Sequence, residues 1–166
     1  MKNRDDALLR RIIEYCSETE EAINFFGGED VFRNNKVFRN AACMPIMQIG
    51  ELCKLVSNDT RESNPQIDWR GWCGVRDIMA HQYTNLDYKK TWLIIEKDLP
   101  KLKEDISSII SEIDKKAIER ILKIMVENHI DKCSAEEVYH SIVDSSGVSI
   151  NVFSDEKIVK FIEEMM

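Results

Sequence analysis

The stretch NKVFRNAACMPIMQIGELCKLVS, residues 35–57, carries the pattern that decides the fold. Val37, Phe38, Ala41, Ile46, Ile49, Leu52, Cys53 and Val56 recur mainly at three- and four-residue intervals, the period of an amphipathic helix with one inward face. Pro45 falls inside it and should bend the helix or remove a backbone hydrogen bond. Upstream, Leu8, Leu9, Ile12, Ile13, Cys16, Ala22 and Ile23 predict a helix over residues 5–25, ended by Gly27-Gly28. Downstream, residues 58–67 read as a polar loop, and Asp68 can cap a helix running through Trp69, Trp72, Val75 and Ile78 toward His81. A fourth helix is expected over 87–112, with Trp92, Leu93, Ile95, Leu99, Leu102, Ile106 and Ile109 as its apolar members and Pro100 interrupting it. Glycine and proline are scarce, at 6 and 3, and strand signal is almost absent. The pattern predicts an all-α fold in which two antiparallel helix pairs form an up-and-down bundle.

The remainder has its own signals. Ile118, Ile121, Leu122 and Met125 mark one helix, and Ser134-Ala135-Glu136-Glu137 is a capping-box pattern opening another, with Gly147 after its end. Ser154 can cap a last short helix holding Ile158, Phe161 and Ile162. The expected organisation is a helical bundle over 1–113 and a small C-terminal helical extension over 114–166. The extension is too apolar for a disordered linker.

Composition bounds the function classes. Charged residues make up 32% of the 166-residue chain, and no apolar run approaches a membrane span. The N-terminal MKNRDDALLRR lacks the apolar core of a signal peptide, so a cytoplasmic location is expected. Five cysteines, at 16, 43, 53, 73 and 133, form no C-x-x-C pair and read as free, mostly buried thiols. The net charge of −7, of which −3 falls on 1–113 and −4 on 114–166, argues against a broad nucleic-acid surface and against a DNA-reading extension. It leaves room for a small cationic pocket or for a site shared between two chains. No nucleophile elbow and no phosphate loop is present. With three histidines and no nearby paired ligands, no metal site is expected. Trp69, Trp72 and Trp92 occupy core positions, and His129 and His140 read as structural residues.

Arg76-Asp77-Ile78-Met79-Ala80-His81-Gln82-Tyr83 concentrates three reactive side-chain types. Arginine presents a permanent planar donor fork suited to phosphate, histidine moves protons near neutral pH, and tyrosine offers a hydroxyl that can be modified. On a regular helix Arg76 and His81 lie roughly 140° apart, so one compact site needs the helix to end near His81 or a second chain to complete it. From the residues alone, satisfaction of local carbonyls and a neighbouring carboxylate is the favoured reading of the trio, since short motifs often match by chance.

The wider context identifies it. Arg39-Asn40, Gln48-Ile49-Gly50-Glu51-Leu52, Pro65-Gln66-Ile67-Asp68-Trp69, Gly74-Val75-Arg76-Asp77, His81-Gln82-Tyr83 and Asp98-Leu99-Pro100 follow one another in an order and spacing that resembles the HepT-like family of HEPN-domain proteins over about residues 5–110. Members of that family are the toxins of type VII toxin–antitoxin pairs. The resemblance implies a dimerising helical bundle and a metal-independent endoribonuclease that needs no cofactor. In it, Arg76 and His81 match the catalytic Arg and His, and Asp77 the polar residue after the Arg, placed to orient Arg76 or His81. It also implies a partner, an MntA-type minimal nucleotidyltransferase antitoxin that attaches AMP to the tyrosine matched by Tyr83. Glu51 and Arg39, twelve residues apart near one helix face, either line the cleft or form a surface pair or dimer contact. The extension departs from the family pattern, and its role is open: cover for the bundle, more dimer interface, or contact with the antitoxin. A second class remains, a non-catalytic HEPN scaffold subunit of a nucleotidyltransferase. The intact Arg–His–Tyr set favours the toxin, because a scaffold has no need of it.

Overall fold

A computed structural model describes residues 3–81, 87–146 and 150–165. The fold is all-α, with no strand among the described residues. The chain divides into two compact units, Met1–Ser108 and Ile109–Met166.

In the first unit, α1 (Asn3–Phe26) packs against α3 (Lys36–Leu55), and α3 against α5 (Trp69–His81). The seam of α1 is Leu9, Ile12, Cys16 and Thr19, all fully buried at intervals of three and four. The seam of α3 is Phe38, Ala42, Ile46, Ile49 and Cys53, likewise fully buried. Pro45 is accommodated inside α3, which runs on without a break. Gly27, at φ 109°, turns the chain after α1 in a backbone conformation that glycine adopts freely. A short helix follows, α2 (Glu29–Asn34), and Asn35 caps α3 by accepting from the amides of Val37 and Phe38 at 2.9 and 3.1 Å. An aromatic cluster holds this end together. Phe32 and Phe38 meet edge to face at 5.4 Å, and Phe32 lies 5.5 Å from Trp92.

Several sequence expectations need correction. Residues 58–67 are not all loop, because Ser57 caps a short helix, α4 (Asn58–Ser63). Its start is tied to α1: Asp5 accepts from the Ser57 amide at 3.1 Å, the Ser57 hydroxyl at 2.6 Å and the Thr60 hydroxyl at 2.7 Å. Val37, expected on the inward face of α3, is exposed, and so are Ile78, Leu93 and Leu122, apolar members of their helices. Adjacent residues on a helix diverge by about 100°, so of each neighbouring apolar pair only one, Phe38, Met79, Trp92 or Ile121, takes the core position. The helix expected over 87–112 is α6 (Tyr88–Leu93), a π-helical turn (Ile94–Asp98) and then α7 (Leu99–Glu127). Proline has no amide for the preceding turn and its ring crowds the carbonyl four residues back, so the wider turn relieves Pro100 just upstream of it. No glycine or proline lies between Lys101 and Glu127, and α7 therefore runs on past residue 112 and includes the helix expected around Ile118–Met125.

The second unit contains the rest of α7, α8 (Ala135–Ser146), a 3-10 turn (Ile150–Val152) and α9 (Asp155–Met165). It buries a core of its own that includes Ile121, Ile124, Val138, Ile142, Ile158 and Ile162. The capping box is present: the Ser134 hydroxyl accepts from the Glu137 amide at 3.2 Å and the Ser134 amide donates to Glu137 at 2.8 Å. The Tyr139 hydroxyl donates to Asp114 at 2.5 Å. Ser154 caps α9 through the Lys157 amide, as expected, while Gly147 lies outside the described residues. All five cysteines are free, with Cys16, Cys43 and Cys53 buried. Among the described residues no helix is long and apolar enough to cross a membrane.

Candidate active site

Asp68 starts α5, its carboxylate accepting from the Gly71 amide at 2.8 Å. Trp69 and Trp72 anchor the helix in the core, and Trp69 donates its indole N–H to the Asn64 carbonyl at 3.0 Å. One turn further, Arg76 and Asp77 meet α3. The backbones come close there because α3 presents Gly50, where a Cβ would stand 2.5 Å from the Arg76 Cβ and 2.8 Å from the Trp72 carbonyl oxygen.

Four charged side chains gather at this crossing. The Arg76 Nε donates to a carboxylate oxygen of Glu51 on α3, and Arg76 Nη1 donates to Asp77 Oδ1 at 3.1 Å. Lys54 Nζ, one turn beyond Glu51, donates to the same Asp77 oxygen at 2.7 Å. Two edges of the Arg76 guanidinium are thus held by carboxylates, and the side chain keeps 31% of its exposure. The hydrogen bond from Lys54, then that from Arg76, holds the Asp77 carboxyl below its ordinary value. The formal charges of the four groups cancel. Each cation is prepaid with a partner, so an incoming anion competes with a carboxylate rather than meeting an empty pocket.

The other residues singled out in the sequence are Arg39, His81 and Tyr83. His81 is the last described helical residue of α5, its side chain lies outside the described residues, and Tyr83 lies outside them altogether. Arg39 is elsewhere, some 18 Å from Glu51 along the helix at about 1.5 Å per residue. It donates to the carbonyls of Phe32 and Arg33, at 3.2 and 2.6 Å, and stacks on Tyr88 at 4.5 Å, closing the C-terminal end of α2. Lys54 was not singled out in the sequence. Its only signal was its spacing, three residues after Glu51, opposite an Arg-Asp dipeptide whose register on α3 no linear pattern reveals.

Two concavities lie nearby in the first unit. One, of about 380 Å³, has apolar walls from Ile67, Trp72, Val75 and Leu102 with Asp98 and Asp105 at its polar side. The other, of about 170 Å³, is lined by Asn40, Cys43, Met44, Met47 and Met79. Among the described residues no three His, Cys, Asp or Glu side chains are grouped to hold a metal ion.

Comparison with known proteins places the chain in a family. A model described as ribonuclease HepT-like matches residues 12–109. The chain is 33% identical over 110 residues to "Putative RNase MJ1380" of Methanocaldococcus jannaschii, covering 66% of this chain and 100% of that one. It is 34% identical over 119 residues to "Putative RNase MJ1216" of the same organism, covering 70% and 96%. It is 31% identical over 94 residues to "Probable ribonuclease HepT" of Thermococcus cleftensis, covering 55% and 86%. No solved structure matches the chain. The clamped Arg76, the glycine crossing beside it and the stretch leading to His81 all fall within the matched segment, and the chain belongs to the ribonuclease HepT-like family.

Proposed function

We propose that the chain is the toxin of a type VII toxin–antitoxin pair: a metal-independent endoribonuclease working in the cytoplasm as a homodimer, silenced when an MntA-type nucleotidyltransferase attaches AMP to Tyr83. The observation that carries the reading is the Arg76 guanidinium, fixed on two edges yet open to solvent, five residues before His81 in the family-matched segment.

RNA brings its own nucleophile. The 2′-oxygen attacks the adjacent phosphorus, its proton passes to a base, and the P–O5′ bond breaks. The products are a 2′,3′-cyclic phosphate and a 5′-oxygen that takes up a proton. His81 serves this proton traffic, taking the 2′-hydroxyl proton or protonating the leaving oxygen. Arg76 holds the phosphate and stabilises the charge that grows on its oxygens. Asp77 orients Arg76 until the substrate phosphate arrives, in keeping with their 3.1 Å contact. A second copy supports the chemistry by bringing a second Arg76 and His81 to one cleft, concentrating positive charge on an acidic protein. Exposed apolar side chains on α5 and α3, Ile78 at 51% and Met44 at 56%, suit such an interface. In the silencing step the Tyr83 oxygen attacks the α-phosphorus of ATP, pyrophosphate leaves, and the tyrosine gives up its proton. The added phosphate then carries negative charge and bulk close to Arg76 and His81 in sequence, where it would oppose substrate phosphate.

The test is RNA cleavage in the presence of chelator by wild type, His81→Ala and Arg76→Ala. Wild type should yield cyclic-phosphate ends, and each variant should lose about 10²-fold or more. A wild type that leaves RNA intact would point to the scaffold class instead, and variants that cut as well as wild type would remove both residues from the mechanism. Incubation with the partner and ATP should add AMP to Tyr83, and modification that survives Tyr83→Phe would reject that site.

A further inference from the structure

The cations of the site are not limited to Arg76. Lys54 and Arg76, from two different helices, converge on a single carboxylate oxygen, Asp77 Oδ1, at 2.7 and 3.1 Å. A phosphate oxygen receiving two charge-assisted donors is bound in the same way. The Asp77 side chain is 55% exposed and that of Lys54 34%, so the pair lies at the surface, where a phosphodiester can reach it. Arg76 would stay in place without Asp77, because Glu51 holds its Nε edge from α3. Lys54 has no second hydrogen-bond partner among the described residues, and its flexible stem lets the ammonium follow an incoming anion.

We propose that Lys54 is the second cation of the phosphate-binding subsite, with Asp77 occupying the place of a phosphate oxygen until RNA displaces it. The proposal rests on the ribonuclease reading and names one more of its substrate contacts. In the resting site the two cations are neutralised and kept close together, which limits their pull on unrelated anions. In the substrate-bound site the backbone phosphate replaces Asp77, and Lys54 and Arg76 both donate to it while Glu51 keeps the guanidinium aligned. Lys54 is then a binding residue that contributes affinity for any RNA backbone. It carries no base specificity, since a point charge on a phosphate reads none.

The experiment is binding of a fluorescein-labelled single-stranded RNA oligonucleotide, followed by anisotropy over a range of salt concentrations. It is run in a His81→Ala background so that the RNA is not consumed, with cleavage kinetics measured on the parent protein. Lys54→Gln should weaken binding about three- to tenfold and lower the salt slope by about 0.7, the value for one lost phosphate contact on a single strand. It should raise KM more than it lowers kcat, and Lys54→Arg should restore binding. Asp77→Asn should bind RNA at least as tightly as its parent, because the competing carboxylate is gone. Thermal melting of each variant close to that of its parent separates these effects from misfolding. An unchanged Kd and salt slope for Lys54→Gln, or weaker binding by Asp77→Asn, overturns the proposal. If the parent protein cleaves RNA while Lys54→Gln is silent in binding, only the role of Lys54 is lost. A parent protein that neither binds nor cleaves RNA takes the ribonuclease reading down with it.

Discussion

Gly50 on α3 lies directly beneath Arg76 on α5, so close that a methyl group there would meet the Arg76 Cβ at 2.5 Å and the Trp72 carbonyl oxygen at 2.8 Å. Neither obstacle is the movable end of a long side chain, so α3 and α5 must separate to admit it. Gly50→Ala should therefore destabilise the protein by about 1–3 kcal/mol despite the better helix propensity of alanine, and the loss should appear as a lower denaturant midpoint at unchanged slope. RNA cleavage by the folded variant should fall as well, because the same separation draws Arg76 away from Glu51. A Gly50→Ala protein as stable as wild type would show that the crossing is looser than the geometry indicates.

Asp5 ties the start of α1 to the cap of α4 through three donors, and only 1% of it is exposed. Asp5→Ala leaves those donors without their acceptor in a dry environment and should cost about 2–4 kcal/mol. Ser57→Ala removes one of the three donors, together with the α4 cap, and should cost less, about 1 kcal/mol. Denaturant melts of the two variants check the order. An Asp5→Ala loss no greater than that of Ser57→Ala would mean that the carboxylate adds nothing beyond the helix cap.

Burial pushes the thiols of Cys16 and Cys43 up to about 12 and about 11, and that of Cys53 higher still. Unfolded, these thiols ionise near their ordinary 9.0, whereas in the fold they stay protonated. Their contribution to stability is thus complete below about pH 9 and is lost as the pH rises toward the folded values, because the unfolded chain then releases protons that the native one keeps. Stability should fall between pH 9 and 11, and replacing the three buried cysteines by alanine should flatten that fall while lowering stability at pH 7. At neutral pH a thiol reagent should modify the native protein at Cys73 and Cys133 alone, both half-buried, with the other three reacting only in denaturant. Rapid labelling of Cys16, Cys43 or Cys53 in the native state would contradict this burial.

The sequence shows clearly what depends on local periodicity. The helices of α1 and α3, the Asp68 cap, the Ser134 capping box and the core positions of the three tryptophans all follow from spacing and cap chemistry within a few residues. It misleads where two adjacent apolar residues compete for one face, as at Val37-Phe38 and Ile121-Leu122, since periodicity alone does not say which of them the neighbouring helix covers. Residues 58–63 read as loop because they are polar, yet a cap from Ser57 and an anchor from Asp5, fifty-two residues away, make them helical. For the site, Arg76 and Asp77 stand out as residue types. Their partners Glu51 and Lys54 do not, because the register of α3 on α5 is set by a glycine whose only role is to be small. Helix face alone brings Glu51 and Arg39 to one side but not to each other: the distance along the axis is too long for a pair, and Arg39 donates instead to the carbonyls of Phe32 and Arg33.

Arg76→Lys isolates what the guanidinium adds beyond charge. Lysine keeps the positive charge but offers a single ammonium at the end of a flexible stem, and Glu51 cannot fix its orientation as it fixes a planar guanidinium held by its Nε edge. If Arg76 acts as an oriented fork, Arg76→Lys should keep most of the RNA affinity, since that depends on charge, and lose up to about 10²-fold in kcat, since that depends on alignment. Glu51→Gln should move in the same direction by a smaller factor, because an amide oxygen can still accept from Nε though without the ionic pull. Neither change should alter the melting temperature much, for the pair is partly exposed and such pairs contribute about 1 kcal/mol or less. The measurement is single-turnover cleavage alongside RNA binding for wild type, both single variants and the double variant. Because Glu51 acts only through the arginine edge that Arg76→Lys removes, the double variant should be no worse than Arg76→Lys alone. A double variant whose losses multiply would mean that Glu51 contributes by some route other than holding Arg76.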